Sequence, residues 1–236
     1  MLTMANGPIG MLSLDEPACP SPPRTWGEDP HEFAVGLVKK TVVGVSVPDI
    51  IYERDHVRGA FIEAARALAA QGCSAITSNC GYSVLYQKDV IEATRLPTVL
   101  SSLLLLPAVV AALPPDYQVG IICYDSTCLS DEHLKASWPQ AQRSRLNIVG
   151  IEGTEAWSKS NSSDAVYEWP LFAKAIENCV EVLMRAERPT GAVIVECCAF
   201  GSFVPMIKAR MGVPTCDIYD AAKLLLGDAA SGIIKI

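Results

Sequence analysis

The chain has 236 residues, 50% of them apolar and 19% charged, with a formal net charge of −7. This composition excludes a disordered chain and can fill a core in one large domain or two small lobes. No Lys/Arg cluster interleaves with aromatics, which argues against nucleic acid as a partner, and the longest apolar runs are too short for a bilayer span, which argues against a membrane.

The first ten residues lack a basic and apolar leader, so a soluble cytoplasmic protein is expected. Pro8–Leu14 reads as a first strand. A Pro-rich stretch from Glu16 to Pro30 is long for a connection and is expected to be either a lid or poorly ordered. Val42–Val47 is a second strand candidate. Asp55–Gln71 has helical periodicity, with Phe61, Ile62, Ala65 and Leu68 on one face and Gly72 as its cap. Strand Ala75–Ser78, helix Val84–Thr94, strand Thr98–Ser101 and helix Leu103–Leu113 follow, the last ended by Pro114-Pro115.

A second half restarts at Gln118–Tyr124, which echoes Pro8–Leu12. Helix Leu129–Ser137 with a Ser130 or Asp131 cap, strand Leu146–Gly150, a long helix Asp164–Arg188 and strand Gly191–Val195 are expected next. Helix Phe203–Met211, strand Thr215–Ile218 and a final helix from about Asp220 to Gly227 complete the chain. Strands alternating with helices predict an α/β fold of mainly parallel sheets flanked by helices.

Two cysteines punctuate this pattern at matched points. Cys80 and Cys197 each end an apolar run, and each is followed 17 residues later by Pro-Thr, at Pro97-Thr98 and at Pro214-Thr215. The repeat predicts two pseudo-symmetric lobes with the active site in the cleft between them. The first lobe is expected to span 1–115 plus 213–236, and the second 116–212.

Nine cysteines without Cys-x-x-Cys spacing read as reduced thiols, and three histidines (His31, His56, His133) show no metal-ligand spacing, so no metal site is expected. Cys73, Cys179 and Cys216 fit buried packing, and Cys123 and Cys128 fit packing better than catalysis. Cys80 and Cys197 differ, because strand ends just before helix N-termini are where open α/β sheets bind ligands and where thiolates are favoured. Two thiols facing one small acid act as acid and base, which predicts racemisation or epimerisation without a cofactor. Asn79 and Gly81 flank the first thiol, and Glu196, Cys198 and Gly201 surround the second. Ser101 and Ser102 end a strand, where they either contact substrate or cap a helix; Tyr124 either reaches the cleft or packs in the core. Asp15 follows the first strand, where it either binds a substrate ammonium or is a solvated turn residue.

At these residues the chain resembles the aspartate/glutamate racemase superfamily, which includes hydantoin racemases, arylmalonate decarboxylase and maleate isomerase. The resemblance rests on Ala75-Ile-Thr-Ser-Asn-Cys-Gly-Tyr82, Pro97-Thr-Val-Leu-Ser-Ser-Leu103, Val119-Gly-Ile-Ile, Asn147-Ile-Val-Gly-Ile-Glu152 and Val193-Ile-Val-Glu-Cys-Cys198. It implies a cofactor-independent isomerase of a small carboxylate, such as an amino acid or a hydantoin, with Cys80 and Cys197 catalytic. It further implies that Gly81, Tyr82 and Tyr124 line a carboxylate pocket. The chain departs from the common racemase segments, with Gly81-Tyr82 after the first thiol and Cys198-Ala199 after the second. A maleate-isomerase-like or decarboxylase-like enzyme using one cysteine, or a non-catalytic ligand-binding homologue, are the alternatives. Self-association as a homo-oligomer stays open.

Overall fold

The computed structural model describes residues 7–15, 35–52, 54–162 and 165–226; the Pro-rich 16–30 stretch lies outside them. Among the described residues, eight strands form two parallel sheets. The first joins β1 (Ile9–Leu14), β2 (Leu37–Val42), β3 (Ala75–Ser78) and β4 (Thr98–Val99) in the order β2-β1-β3-β4. The second joins β5 (Gln118–Cys123), β6 (Leu146–Gly150), β7 (Thr190–Val195) and β8 (Thr215–Cys216) in the order β6-β5-β7-β8. The two orders are the same, so the repeat seen in the sequence is a repeat of topology.

Parallel strands covered on both faces require continuous apolar runs, which is why the central strands read Ile-Gly-Met-Leu-Ser-Leu and Gln-Val-Gly-Ile-Ile-Cys. Their glycines admit the crossing helices. A Cβ on Gly10 would lie 3.0 Å from the Leu68 side chain of α2 (His56–Ala70), and one on Gly120 would lie 2.8 Å from Leu183 of α7 (Trp169–Met184). α2 buries Val57, Phe61, Ala64, Ala65 and Leu68 against the first sheet; of the expected stripe Phe61, Ala65 and Leu68 are buried and Ile62 is half-buried.

The Pro-Thr signature has a structural meaning. The Ile76 amide donates to the Pro97 carbonyl (2.9 Å) and the Val193 amide to the Pro214 carbonyl (2.8 Å). These bonds align Ile76 with Thr98 and Val193 with Thr215 at the same register in both sheets. Thr215–Cys216 therefore belongs to the second sheet, which corrects the expectation that residues 213–236 all return to the first lobe. Among the described residues of this segment, α9 (Ile218–Leu226) crosses back to pack on β4, while α4 (Leu106–Ala111) leans the opposite way onto β5.

Three further expectations are corrected. The second strand is Leu37–Val42, not Val42–Val47: the chain turns at Val43–Gly44, and α1 (Val47–Ile51) starts with Pro48 in its first turn. The segment Asp164–Arg188 is not one helix, because α7 starts at Trp169 with Pro170 in its first turn. A separate helix, α6 (Glu155–Ser160), precedes it with Thr154 as N-cap, whose hydroxyl accepts from the Trp157 amide. The helical stretches after each thiol and after Ser101 begin with a short 3-10 helix, at 81–86, 198–203 and 102–105, before α3 (Gln87–Thr94), α8 (Val204–Met211) and α4.

Buried hydrogen bonds tie the lobes together. The Tyr82 hydroxyl donates to the Asp125 carbonyl (2.7 Å) and accepts from the Asp125 amide (3.0 Å). The Ser102 hydroxyl donates to the Val195 carbonyl (2.8 Å), and the Cys198 thiol makes a long contact to the Ser78 carbonyl (3.9 Å). Tyr82→Phe leaves the buried Asp125 amide without its partner and its carbonyl with the Cys128 amide alone (3.2 Å), and is expected to destabilise the protein by about 1–3 kcal/mol, read as a lower urea midpoint at unchanged m-value.

Candidate active site

Cys80 and Cys197 follow β3 and β7 and stand at the N-caps of the two matched 3-10 turns. The backbone N–H groups of Tyr82 and Ser83 lie near enough to the Cys80 sulfur to favour its thiolate, and those of Ala199 and Phe200 do the same for Cys197, although the Ser83 and Phe200 amides also donate to the carbonyls of Cys80 (3.2 Å) and Cys197 (2.9 Å). In each lobe the donors come from the second and third residues after the thiol. Such donors favour thiolate, yet loss of water outweighs them and both thiols are pushed well above their ordinary range. For Cys80 burial is followed by the charge of Glu196 and then by Cys197; for Cys197 burial is followed by Glu196.

Both thiols line one cavity of about 210 Å³. Asn79, Gly81, Glu196 and Cys198 also line it. Its wall is aromatic, formed by Tyr82, Tyr124, Tyr167, Trp169, Phe172 and Phe200, with Phe172 packed 5.3 Å from Trp169 and 6.1 Å from Phe200 between ring centroids. Lys39 of β2, an exposed residue, supplies the one cationic side chain among the described lining residues. The described residues hold no cluster of three His, Cys, Asp or Glu side chains fit for a metal ion. No helix among them is long and apolar enough to cross a membrane.

The structure brings seven of the ten expected site residues to this cavity: Asn79, Cys80, Gly81, Tyr82, Tyr124, Cys197 and Cys198. The polar groups of several are already engaged. The Asn79 side-chain oxygen accepts from the Leu14 amide (3.0 Å), the Tyr82 hydroxyl is held by Asp125, and the Tyr124 hydroxyl bonds Ser160 (2.8 Å). Tyr82 thus offers a ring to the cavity, not a hydroxyl to a carboxylate.

Asp15, Ser101 and Ser102 lie outside it. Asp15 is exposed and accepts from the Gly44 amide (2.9 Å) at the turn before α1. The Ser101 hydroxyl caps the following turn by accepting from the Leu103 amide (3.2 Å), and Ser102 spans the lobes to Val195. Local capping and inter-lobe bonding account for all three.

Sequence reading placed Glu196 beside the second thiol but gave it no role in the site. It is wholly buried, and neither carboxyl oxygen has a hydrogen-bond partner. Burial raises it to about 8, so it is a neutral acid at neutral pH. Its carboxyl rests on Gly81 in the other lobe: a Cβ there would lie 2.4 Å from a carboxyl oxygen and 2.3 Å from the Glu196 carbonyl. A carboxyl ending the apolar run of β7 was the available signal.

No family model matches the chain. It is 27% identical over 228 residues to a dimethylsulfoniopropionate lyase of Durusdinium sp. clade D, covering 90% of this chain and 71% of that protein. It is also 27% identical over 169 residues to dimethylsulfoniopropionate lyase 7 of Emiliania huxleyi, covering 69% of this chain but only half of that longer protein. Among solved structures, a glycine-to-cysteine variant of arylmalonate decarboxylase in a sulfate-associated form superposes with a TM-score of 0.56 at 17% identity, covering 94% of both chains. Glutamate racemase from Francisella tularensis in complex with D-glutamate gives 0.55 at 16%, covering 94% of this chain and 80% of that one. Aspartate racemase from Picrophilus torridus gives 0.56 at 13%, covering 97% and 93%.

The chain has the fold of the aspartate/glutamate racemase superfamily. Within this racemase fold the two lobes meet at the seam that Glu196 and Gly81 share.

Because Glu196 binds its proton more tightly folded than unfolded, its stabilising contribution is full below about pH 4.5 and is lost as pH rises through about 8. The unfolding free energy of the wild type should fall between these limits by about 1.4 kcal/mol per pH unit from this group alone. Glu196→Gln should remove that component, which urea titrations of both proteins at several pH values would show as a flatter profile for the variant.

Proposed function

We propose that the cleft removes a proton from the carbon beside a carboxylate, with Cys80 and Cys197 as the acid and base pair. The observation that carries this reading is the matched placement of the two thiols on one small cavity, each sulfur near two backbone N–H groups. Proton transfer at such a carbon is the step that racemisation and β-elimination share.

The aromatic wall and the lyase relatives favour elimination. A dimethylsulfonio group is a cation without N–H donors, so it suits ring faces better than hydrogen-bond acceptors. In the proposed reaction a thiolate takes the α-proton of dimethylsulfoniopropionate and becomes a thiol. The freed electron pair forms the Cα–Cβ double bond, and the Cβ–S bond breaks with its electrons leaving on sulfur. The products are acrylate and dimethylsulfide, and the proton taken by the thiol is later released. Lys39 stands at an exposed point of the lining, where it would draw the carboxylate inward.

The second reading, racemisation of an amino acid or hydantoin, is favoured by the presence of a thiol in both lobes, since a two-base exchange needs one on each face of the substrate. There the first thiolate removes the α-proton and the opposite thiol returns one, with no bond to carbon lost.

The two readings separate in one experiment. The purified chain is given dimethylsulfoniopropionate, with headspace dimethylsulfide as readout, and separately enantiopure aspartate, glutamate and hydantoins in D2O, followed by circular dichroism and α-deuterium content. Dimethylsulfide release without optical change is the expected result; optical change without release establishes the second reading. Cys80→Ser and Cys197→Ser should each lower the observed kcat/KM by about 10²–10⁴-fold, the range for a positioned proton-transfer group. Activity retained in both single variants would end both readings.

A further inference from the structure

Glu196 and Asn79 occupy equivalent positions, each directly before a thiol and each anchored by its amide to the neighbouring strand. The Asn79 amide donates to the Leu12 carbonyl (3.1 Å), and the Glu196 amide to the Ile122 carbonyl (2.8 Å). Their side chains diverge. Asn79 turns back to accept from the Leu14 amide, as a residue that supports its own loop does. Glu196 supports nothing in its loop: it crosses the seam to Gly81 and leaves both oxygens unpartnered in a fully buried place. Burying an unpaired carboxyl is unfavourable, and an amide or an apolar side chain would avoid that cost. A role in the chemistry of the groups around it accounts for its presence.

Those groups are all acids. Cys80 and Tyr82 face it from the first lobe, Cys123 from β5, and Cys197 and Cys198 from its own loop. No described cation pairs with it. We infer that Glu196 is a positioning residue that sets the ionisation of the thiol pair: as a neutral acid it lets one cysteine lose its proton, and as a carboxylate it keeps both as thiols. The inference rests on the proton-transfer reading of Cys80 and Cys197. Its physical basis is charge: a second anion in this buried place, where the one described lining cation, Lys39, is exposed, is disfavoured, so the carboxylate and a thiolate exclude one another. The rise of Glu196 to about 8 places this exclusion just above neutral pH. The cleft then holds at most one negative charge, on the carboxyl or on one sulfur, and in the second case the other sulfur still carries its proton.

The test is the pH dependence of iodoacetamide alkylation of Cys80 and Cys197, followed by peptide mass spectrometry on the full chain and on Glu196→Gln. At about pH 6, where Glu196 is neutral in the wild type, the two proteins should react at equal rates. At about pH 9.5 the variant should react about tenfold faster or more, the equivalent of one pKa unit. Cys128 and Cys216, whose surroundings do not include Glu196, serve as internal references and should not change. Equal rates at the higher pH would overturn the inference. If the variant does not fold, or neither thiol is reached, infrared titration of the wild type decides. Either the protonated carboxyl band of Glu196 or the S–H bands of the two cysteines should persist up to about pH 9.5, and loss of both below that pH would overturn the inference. Neither measurement involves a substrate, so failure on dimethylsulfoniopropionate and on amino acids would leave this result readable, and the reverse also holds.

Discussion

One phenol holds the two halves of this molecule in register. The Tyr82 hydroxyl serves both polar groups of the Asp125 peptide, and all of these atoms are buried. Tyr82 lies two residues after one thiol, and Asp125 two residues after the end of β5, so the clasp spans the seam next to the chemistry. Ser102 to Val195 and Cys198 to Ser78 add ties at the ends of β7 and β3. Each accepting carbonyl lies two positions before a thiol. The bonds that join the lobes and the loops that carry the sulfurs are therefore the same few residues, and a shift in one moves the other. Buried polar networks of this kind specify one arrangement because an unmade bond in a low dielectric is expensive.

Within this two-fold scheme the functional content lies in the departures from symmetry. The strand order, the Pro-Thr register and the N–H pairs on sulfur are duplicated. So are the left-handed residues that end α3 and α8, Arg95 (φ 59°) and Gly212 (φ 64°). What is not duplicated is the residue before each thiol, Asn79 against Glu196, and the residue after it, Gly81 against Cys198. Glu196 and Gly81 meet each other across the seam. A side chain at position 81 would occupy the space the Glu196 carboxyl fills, so the glycine of one lobe and the acid of the other are a matched pair. Duplication supplies two sulfurs, and this pair makes their surroundings unequal.

The sequence made the frame legible because the frame depends on periodicity and on spacing. Apolar runs located β1, β3, β5, β6 and β7, and the 17-residue interval from thiol to Pro-Thr located the repeat. Errors arose where a local rule had two solutions. Thr41-Val-Val-Gly-Val-Ser-Val is apolar enough for a strand, but pairing with β1 uses Leu37–Val42 and leaves the later valines to a turn and a helix. Ser101 and Ser102 could cap or bind, and capping with a cross-lobe bond took both hydroxyls. Tyr82 could be placed at the cavity, but the commitment of its hydroxyl to a peptide 43 residues away is long-range information that no local pattern holds. The burial of Glu196 was illegible for a related reason: an acid at a strand end is common in a solvated loop, and only the opposing lobe makes it buried.

The electrostatics of the cleft limit what it can accept. Its described interior contains thiols pushed up by burial and a carboxyl that is neutral near pH 7, and its single lining cation is exposed. A bare anion entering such a space would lose its hydration with little return beyond backbone N–H groups, and a bare cation would meet no fixed negative charge. A compact zwitterion avoids both problems, since its two charges offset one another and each finds a different surface. The carboxylate can lie toward the N–H-rich turns at 81–83 and 198–200, while an onium group lies against the rings of Trp169, Phe172 and their neighbours. In the proposed reaction, the negative charge that develops on the carbon beside the carboxylate replaces the one given up by the thiolate. The charge in the cleft is moved but never increased, which in a low-dielectric site is the condition for a small barrier.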